Sequence, residues 1–106
     1  MSVQIQTITL GKGHPLTLIA GPCVVESREL VLRTAEQIRI MADRYGMPVI
    51  FKSSYKKANR TSAQSFTGIG MDEALRVLAD VKEQFGMPVL TDIHTEQEAA
   101  SAAAVA

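Results

Sequence analysis

Apolar residues recur every three or four positions in two stretches of the chain, and each stretch ends at a glycine. In the first stretch the apolar positions are Leu30, Val31, Ala35, Ile38, Met41, Ala42 and Tyr45. In the second stretch they are Ala74, Leu75, Leu78, Val81 and Phe85. This spacing predicts two amphipathic helices, each with one buried face. Ser27 is the predicted N-cap of the first helix, and Gly46 and Gly86 are the predicted C-terminal stops.

Short apolar runs separate these helices and predict strands. Residues 3–10 alternate between polar and apolar side chains, which predicts one short strand. Residues 16–20 either pair with that strand as a hairpin or form the first buried strand of a sheet. The runs at 49–51 and 89–94 follow the predicted helices. Helices that alternate with strands in this way predict a parallel α/β fold.

A short repeat supports the same architecture. The sequence Gly-Met-Pro-Val occurs at 46–49 and again at 86–89, each time between a helix and a strand. The repeating unit is therefore strand, loop and helix. Thr95 and Glu98 have the spacing of a capping box, which predicts a third helix. The alanine-rich residues after Glu98 carry no helix stop signal, so we expect the chain to be part of a longer protein.

Polar and reactive residues follow each predicted strand of the parallel sheet. The three strand ends are Gly21-Pro22-Cys23, Lys52-Ser53-Ser54 and Asp92-Ile93-His94. In parallel α/β folds ligands bind at the C-terminal ends of the strands. We therefore expect the functional site to lie where these three segments meet.

The second strand end opens a loop rich in cationic and hydroxyl residues, at positions 52–62. Lysine and arginine side chains with neighbouring hydroxyl and amide groups suit a ligand that carries several negative charges. The alternative is an ordinary basic loop that faces water. Position at a strand end favours the binding interpretation.

Two other residue types at the strand ends have more than one interpretation. Cys23 is the only thiol, so it permits no internal disulfide. It is either a small buried hydrophobic residue, a nucleophile or a metal ligand. Asp92 and His94 point to the same side of an extended segment, where the carboxylate can orient the imidazole. The alternative is a histidine at the start of a helix with no catalytic use.

Composition narrows the class of protein. With 106 residues the chain forms one domain at most, and its formal net charge of zero argues against nucleic-acid binding. No apolar run approaches the ~20 residues that span a membrane. The first residues do not have the pattern of a signal peptide, and one cysteine suits a reducing compartment. These features predict a cytoplasmic location with neither nucleic acid nor membrane as a partner.

Four segments together resemble one enzyme family. They are residues 19–27 (Ile-Ala-Gly-Pro-Cys-Val-Val-Glu-Ser), 51–54 (Phe-Lys-Ser-Ser), 57–60 (Lys-Ala-Asn-Arg) and 91–94 (Thr-Asp-Ile-His). In order and spacing they are similar to 3-deoxy-D-manno-octulosonate 8-phosphate synthase. The resemblance implies a (β/α)8 barrel, of which residues 1–15 form the N-terminal strand and turn region and residues 16–106 the first three βα units. It also implies a homotetramer and a hairpin at the barrel bottom.

The resemblance further implies a reaction. The family condenses phosphoenolpyruvate with arabinose 5-phosphate and water and releases phosphate, a step of lipopolysaccharide synthesis. Taken position by position, Lys52 and Ser54 contact phosphoenolpyruvate, and Lys57 lies between the two substrates. His94 contacts phosphoenolpyruvate or the attacking water. Lys57, His94 and Asp92 are thus the candidate catalytic residues.

The remaining implied roles concern the sugar and a metal. Asn59 and Asp92 hold the sugar, and Arg60 with the Thr61 hydroxyl grips its phosphate. Cys23 is the implied first ligand of a divalent cation, with zinc, iron and manganese as candidates. The other ligands, a histidine, a glutamate and an aspartate, are expected beyond residue 106. The family's metal-independent branch has asparagine in place of this cysteine.

Some positions depart from the family pattern, and two alternatives stay open. Where the family commonly has Phe-Asp-Lys, this chain has Tyr55-Lys56-Lys57, and Thr67 stands where an arginine is common. The first alternative is 3-deoxy-D-arabino-heptulosonate 7-phosphate synthase, which shares the barrel and phosphoenolpyruvate. It typically has Lys-Pro-Arg-Thr-Ser in the second loop and Thr-Glu at the third strand end, and both differ from this chain. The second alternative is an inactive fragment or non-catalytic module.

Overall fold

The chain is described here by a computed structural model that covers residues 1–57 and 68–106. Along the chain the elements are β1 (Ser2–Ile5), β2 (Ile8–Gly11), β3 (Leu18–Ala20), α1 (Arg28–Arg44), β4 (Val49–Lys52), α2 (Met71–Phe85), β5 (Val89–Leu90) and α3 (Glu98–Ala103). From β3 onward strands and helices alternate, which confirms the α/β architecture predicted from the repeat.

The first two strands correct one prediction. Residues 3–10 form an antiparallel hairpin and not a single strand, because the register pairs Ile5 with Ile8 across a turn at Gln6 and Thr7. Gln6 has a φ of 52°, and its carbonyl accepts a hydrogen bond of 2.6 Å from Gln4 Nε2. Side-chain alternation has the same period in both strands of a hairpin. The pattern therefore runs on through a turn that contains no glycine.

Strands β3, β4 and β5 form a parallel sheet in that order. Residues 16–20 thus supply the first strand of the sheet, and their alternative pairing with the N-terminal strand is wrong. Leu18 is in register with Val49, and Phe51 is in register with Val89. Neighbours in the chain are neighbours in the sheet, so α1 and α2 each connect adjacent strands.

One face of this sheet is covered by α1 and α2. Val49 and Phe51 from β4 and Val89 from β5 lie in one cluster with the apolar faces of both helices. The buried helix residues are Val31, Ala35, Ile38 and Ala42 of α1 and Ala74, Leu75, Val77, Leu78 and Val81 of α2. The predicted face of α2 is confirmed. Three residues predicted on the α1 face, Leu30, Met41 and Tyr45, are exposed because they flank this stripe.

The helix ends follow the local chemistry of the sequence. The Ser27 hydroxyl accepts a hydrogen bond of 3.1 Å from the Leu30 N–H, which confirms the predicted N-cap. Gly86 caps α2 in the left-handed region with a φ of 65°. Helix α3 begins at Glu98, later than the Thr95 cap predicts. Half of the capping box forms, since Glu98 Oε1 accepts from the Thr95 N–H at 3.2 Å.

Among the residues that the structure describes, no helix packs on the other face of the sheet. Ile19 and Leu90 point to this face and are 52% and 41% exposed, whereas Ile50 on the middle strand is buried. The same alternation places Lys52, the last residue of β4, on this face. We call it the open face. Within the described residues, no helix has the length and apolar character needed to cross a membrane.

Candidate active site

The three predicted strand ends meet at the C-terminal edge of the sheet. The Ser54 N–H donates to the Cys23 carbonyl at 3.1 Å, and the Val25 N–H donates to the Ser54 carbonyl at 2.9 Å. These bonds extend the pairing of β3 with β4 beyond the strands. The close approach requires glycine at position 21, because a Cβ there would lie 1.8 Å from the Lys52 carbonyl oxygen. The Gly-Pro-Cys segment is therefore held directly beside the second strand end.

A chain of polar contacts runs across this edge from β4 to β5. Lys52 Nζ donates to Ser54 Oγ at 3.1 Å, and Ser54 Oγ in turn donates to Asp92 Oδ1. The register explains the contact, because Lys52 pairs with Leu90 and residues two further along each strand face the same side. The result is an ammonium group, a hydroxyl and a carboxylate placed side by side at the end of the open face.

His94 lies next to this chain of contacts. Its Nε2 is 3.6 Å from Asp92 Oδ2, a distance suited to electrostatic attraction and longer than a good hydrogen bond. The side chain is 13% exposed, and Nε2 is buried with no hydrogen-bond partner among residues 1–57 and 68–106. A buried imidazole nitrogen with unused hydrogen-bonding capacity can serve a ligand. The sequence placed Asp92 and His94 on one side of the segment, and the structure has them adjacent.

Two residues beside the site were not identified from the sequence as part of it. The Tyr55 hydroxyl donates to Glu98 Oε1 at 2.6 Å, and the Tyr55 ring meets the His94 ring edge to face at a centroid distance of 5.3 Å. Glu98 Oε1 also accepts from the His94 N–H at 3.0 Å. The capping-box spacing indicated the link from Glu98 to Thr95. The link to Tyr55 depends on the approach of two loops, which no local pattern encodes.

These contacts set the protonation states of the pair. Burial, followed by the hydrogen bond to Glu98, raises the pKa of Tyr55 from 10.0 to about 12. The hydrogen bonds from Tyr55 and then from the His94 N–H hold the pKa of Glu98 below its ordinary value of 4.5. At neutral pH the phenol is therefore a proton donor and the carboxylate is ionised.

The cationic loop is described only at its start. Lys56 and Lys57 are exposed at the C-terminal edge of the sheet, immediately after the buried Tyr55. The predicted sugar-binding residues Asn59, Arg60 and Thr61 fall outside the described residues. The predicted position of Lys57 between two substrates stays a prediction, and so do the roles of these three residues.

Cys23 is exposed and has no disulfide partner. The interpretation of this thiol as a buried hydrophobic residue is therefore wrong, because the Gly-Pro-Cys segment turns outward at the strand end. Its carbonyl, and not its sulfur, makes the contact with Ser54. Across residues 1–57 and 68–106 no three His, Cys, Asp or Glu side chains come together as a metal site. Cys23 can thus supply one ligand to a metal, but the described residues do not complete a coordination sphere.

One cavity lies away from this chemistry. It measures about 380 Å³ and opens at the N-terminal edge of the sheet, between the hairpin and the starts of β4 and β5. Its lining includes Thr9, His14, Arg39 and Pro88. The aligned lysine, hydroxyl, carboxylate and imidazole groups are at the opposite edge, where α/β folds bind their ligands. We therefore assign the candidate site to the C-terminal edge and not to this cavity.

A family model described as the DAHP synthetase I family matches residues 1–106. The chain belongs to this family. Curated proteins that resemble the chain bear the name 2-dehydro-3-deoxyphosphooctonate aldolase. The protein from Trichlorobacter lovleyi is 54% identical over 103 residues, which is 97% of this chain and 38% of the relative.

Two further relatives of that name show a similar match. The protein from Laribacter hongkongensis is 56% identical over 95 residues, covering 90% of this chain and 34% of the relative. The protein from Bordetella petrii is 53% identical over 96 residues, covering 91% and 34%. The chain therefore spans little more than a third of the length of these relatives.

Proposed function

We propose that this chain is the N-terminal part of an enzyme that makes 3-deoxy-D-manno-octulosonate 8-phosphate from phosphoenolpyruvate, arabinose 5-phosphate and water. The observation that carries the proposal is the contact chain of Lys52, Ser54 and Asp92 at the C-terminal edge of the open face. The names of the relatives support the choice of reaction within the DAHP synthetase I family.

The open face supports a barrel as the complete fold. Ile19 and Leu90 are apolar residues exposed to water on a face that no helix of the described residues covers. In a (β/α)8 barrel this face is the interior, which is filled by layers of branched side chains from all the strands. Further βα units that close the barrel would bury both residues. They would also surround the polar edge, so that Lys52 and Asp92 face an enclosed pocket.

Phosphoenolpyruvate explains the charges at this edge. It carries a carboxylate and a phosphate, and Lys52 supplies a cation held in place by its bond to Ser54. In the reaction the C2–C3 double bond of phosphoenolpyruvate supplies the electrons for a bond from C3 to the sugar aldehyde carbon, and the aldehyde oxygen takes one proton of the water. The hydroxyl of that water adds at C2, and the bond from C2 to the phosphate oxygen then breaks, so that phosphate leaves with the second proton and C2 becomes a ketone. Positive charge develops at C2 as the new bond forms. The Asp92 carboxylate and the buried His94 imidazole are positioned to stabilise that charge and to hold the water.

In this proposal the cationic loop binds the sugar phosphate. Lys57 follows the described edge directly, and it would lie between the two substrates. Asn59, Arg60 and Thr61 would hold the sugar and its phosphate, as the family resemblance implies. Arginine suits that role because its fork of donors matches phosphate oxygens in pairs.

Cys23 would supply one ligand to a divalent metal ion, which would polarise water or the sugar as a Lewis acid. In the described residues the observation that fits this role is that Cys23 is exposed at the strand end, where its carbonyl accepts from the Ser54 N–H. Elemental analysis of a complete enzyme should find bound metal, and Cys23→Ser should reduce it because a hydroxyl replaces a thiolate. Equal metal content in both proteins would remove Cys23 from the ligand set.

A second candidate reaction is 3-deoxy-D-arabino-heptulosonate 7-phosphate synthesis, because the matching family model carries that name in abbreviated form. The two reactions share phosphoenolpyruvate and differ in the aldose phosphate. A seven-carbon product requires a four-carbon aldose phosphate, whereas an eight-carbon product requires arabinose 5-phosphate. The choice of sugar therefore separates the two functions.

The test uses a protein in which residues 1–106 replace the matching segment of the Trichlorobacter lovleyi relative. We call it the joined enzyme. Phosphate release from phosphoenolpyruvate is measured with arabinose 5-phosphate and with a four-carbon aldose phosphate. We expect phosphate release with arabinose 5-phosphate and none with the four-carbon sugar. We also expect the joined enzyme to be a tetramer in solution. Preference for the four-carbon sugar would favour the second reaction. The unmodified relative is the positive control, and a folded joined enzyme that is inactive with both sugars would contradict the proposal.

A further inference from the structure

Tyr55 connects the second and third strand ends through its hydroxyl and its ring. The side chain is 1% exposed and follows Ser54 directly. Its hydroxyl donates to Glu98 Oε1 at 2.6 Å, and its ring stands at 86° to the His94 ring. Tyr55 is therefore packed in the core, and its ring contacts the ring of His94, a candidate catalytic residue.

Glu98 accepts hydrogen bonds from groups at the second and third strand ends. A single oxygen, Oε1, accepts hydrogen bonds from the Tyr55 hydroxyl, the His94 N–H at 3.0 Å and the Thr95 N–H at 3.2 Å. A carboxylate is the acceptor best suited to several donors. The low pKa of Glu98 and the high pKa of Tyr55 keep acceptor and donor in these states near neutral pH.

The His94 imidazole has few restraints of its own. Its Nε2 has no hydrogen-bond partner in the described part of the chain, and Asp92 is 3.6 Å away. The orientation of the ring is set by its packing against Tyr55 and by the backbone N–H that Glu98 holds. Loss of either contact would free the ring to turn away from the polar edge.

We propose that in this chain Tyr55 is a positioning residue for His94. Its ring packs against the imidazole, as the family's usual phenylalanine also could, and its hydroxyl adds a bond to Glu98 that further fixes the orientation in which His94 meets phosphoenolpyruvate. The proposal rests on the function proposed above. Tyr55 touches neither substrate in this account. Its effect passes through His94, so removal of the hydroxyl should change catalysis only when the imidazole is present.

The test compares Tyr55→Phe with Tyr45→Phe in the joined enzyme. The first variant keeps the ring and loses the hydroxyl that binds Glu98. The second removes the hydroxyl of a tyrosine that is 73% exposed at the end of α1. We expect Tyr55→Phe to lower kcat/KM for phosphoenolpyruvate on the order of tenfold, as for one lost hydrogen bond to a charged group. The KM for the sugar phosphate should not change, and Tyr45→Phe should behave as the unsubstituted enzyme.

A double substitution separates positioning from general weakening of the fold. In a His94→Gln background, Tyr55→Phe should cause no further loss of kcat/KM. A further loss of the same size would overturn the proposal, because the hydroxyl would then act independently of the imidazole. Unchanged kinetics in the single Tyr55→Phe variant would also overturn it.

A second measurement does not depend on turnover. The imidazole proton signals of His94, assigned by their absence in His94→Gln, should move in Tyr55→Phe and stay in place in Tyr45→Phe. His94 signals that are identical in all the proteins that retain this residue would reject the positioning role even if the enzyme were active. Inactivity towards both sugar phosphates would count against the proposed reaction, whereas the signals would still report whether Tyr55 orients His94.

Discussion

The two faces of the three-stranded sheet come from the same strands and differ in what covers them. On one face, Phe51 and Val89 are buried under α1 and α2. On the other, Ile19 and Leu90 remain about half exposed, and Lys52, Ser54 and Asp92 lie together at the C-terminal edge. Among the described residues two helices pack on the covered face, and no helix packs on the open face.

The difference separates the residues that stabilise the fold from those that carry chemistry. The two adjacent serines illustrate it. Ser53 continues the covered face, and its buried hydroxyl has no hydrogen-bond partner within the described residues. Ser54 continues the open face and connects Lys52 with Asp92. Because side chains alternate along a strand, a shift of one position decides whether a residue faces the packed core or the candidate site.

The largest expected effect is the loss of all activity in the isolated chain. Under the proposed function, further βα units would cover the open face and would supply the other ligands of a metal bound at Cys23, and the isolated chain would have neither. The chain alone should therefore release no phosphate from phosphoenolpyruvate and arabinose 5-phosphate, whereas the joined enzyme should. Measurable turnover by residues 1–106 alone would show that the open face needs no completion.

The next effect compares one substitution on each face. Phe51→Ala should lower the free energy of unfolding of the joined enzyme by about 3–5 kcal/mol, because it opens a cavity in a packed core. Ile19→Ala should cost about 2–4 kcal/mol in the joined enzyme, where the barrel buries the side chain. In the isolated chain Ile19→Ala should cost little, since half of the side chain is already exposed.

Denaturant unfolding of both variants in both proteins measures this difference. The comparison fails if Ile19→Ala is equally mild in the joined enzyme, because the open face would then not be a barrel interior.

A smaller effect separates the two serines. Ser54→Ala should lower kcat/KM for phosphoenolpyruvate by about 10- to 100-fold, because Lys52 and Asp92 lose their common partner and a charge-assisted hydrogen bond. Ser53→Ala removes a hydroxyl that has no partner in the described residues, and it should leave the kinetics unchanged. Steady-state kinetics of the joined enzyme decide the matter. Equal losses of kcat/KM in the two variants would mean that catalysis does not depend on which face of the sheet the serine lies on.

The smallest effect concerns the pH dependence of stability. Glu98 has a lowered pKa, so its contribution is complete above its ordinary value of 4.5 and is lost as the pH falls further. Tyr55 has a pKa raised from 10.0 to about 12, so its contribution is complete below 10 and is lost as the pH rises through that interval.

The stability difference between the joined enzyme and its Tyr55→Phe variant should thus be constant between these limits and shrink outside them. Unfolding curves across the pH range measure it. A difference that changes steadily between pH 5 and 9 would assign the coupling to another group.

Much of the covered face was predictable from the sequence. Helix periodicity identified the buried stripe of α2, and Ser27 and Gly86 marked helix ends, because these signals act over a few residues. The family resemblance implied an N-terminal hairpin, which the structure has, but the position of its turn was not predictable from local signals. Gln6 takes a conformation that usually favours glycine, and one hydrogen bond from the Gln4 side chain to the Gln6 carbonyl supports the turn.

The residues of the open face were also only partly predictable from the sequence. The strand-end positions of Lys52, Asp92 and His94 followed from the repeat, and alternation put Asp92 and His94 on one side. The contact of Tyr55 with Glu98 joins residues far apart in the chain. It depends on how closely the second and third loops approach, and a single sequence does not encode that distance in any local pattern.

The most direct test of the account is a crystal structure of the joined enzyme with phosphoenolpyruvate bound. The account predicts the ligand at the C-terminal edge of the open face, with Lys52 and Ser54 at its anionic groups and His94 beside it. Ile19 and Leu90 should be buried beneath it in the barrel interior. Phosphoenolpyruvate bound at the hairpin edge, or with Lys52 and His94 both out of contact, would contradict the assignment of this face as the active site.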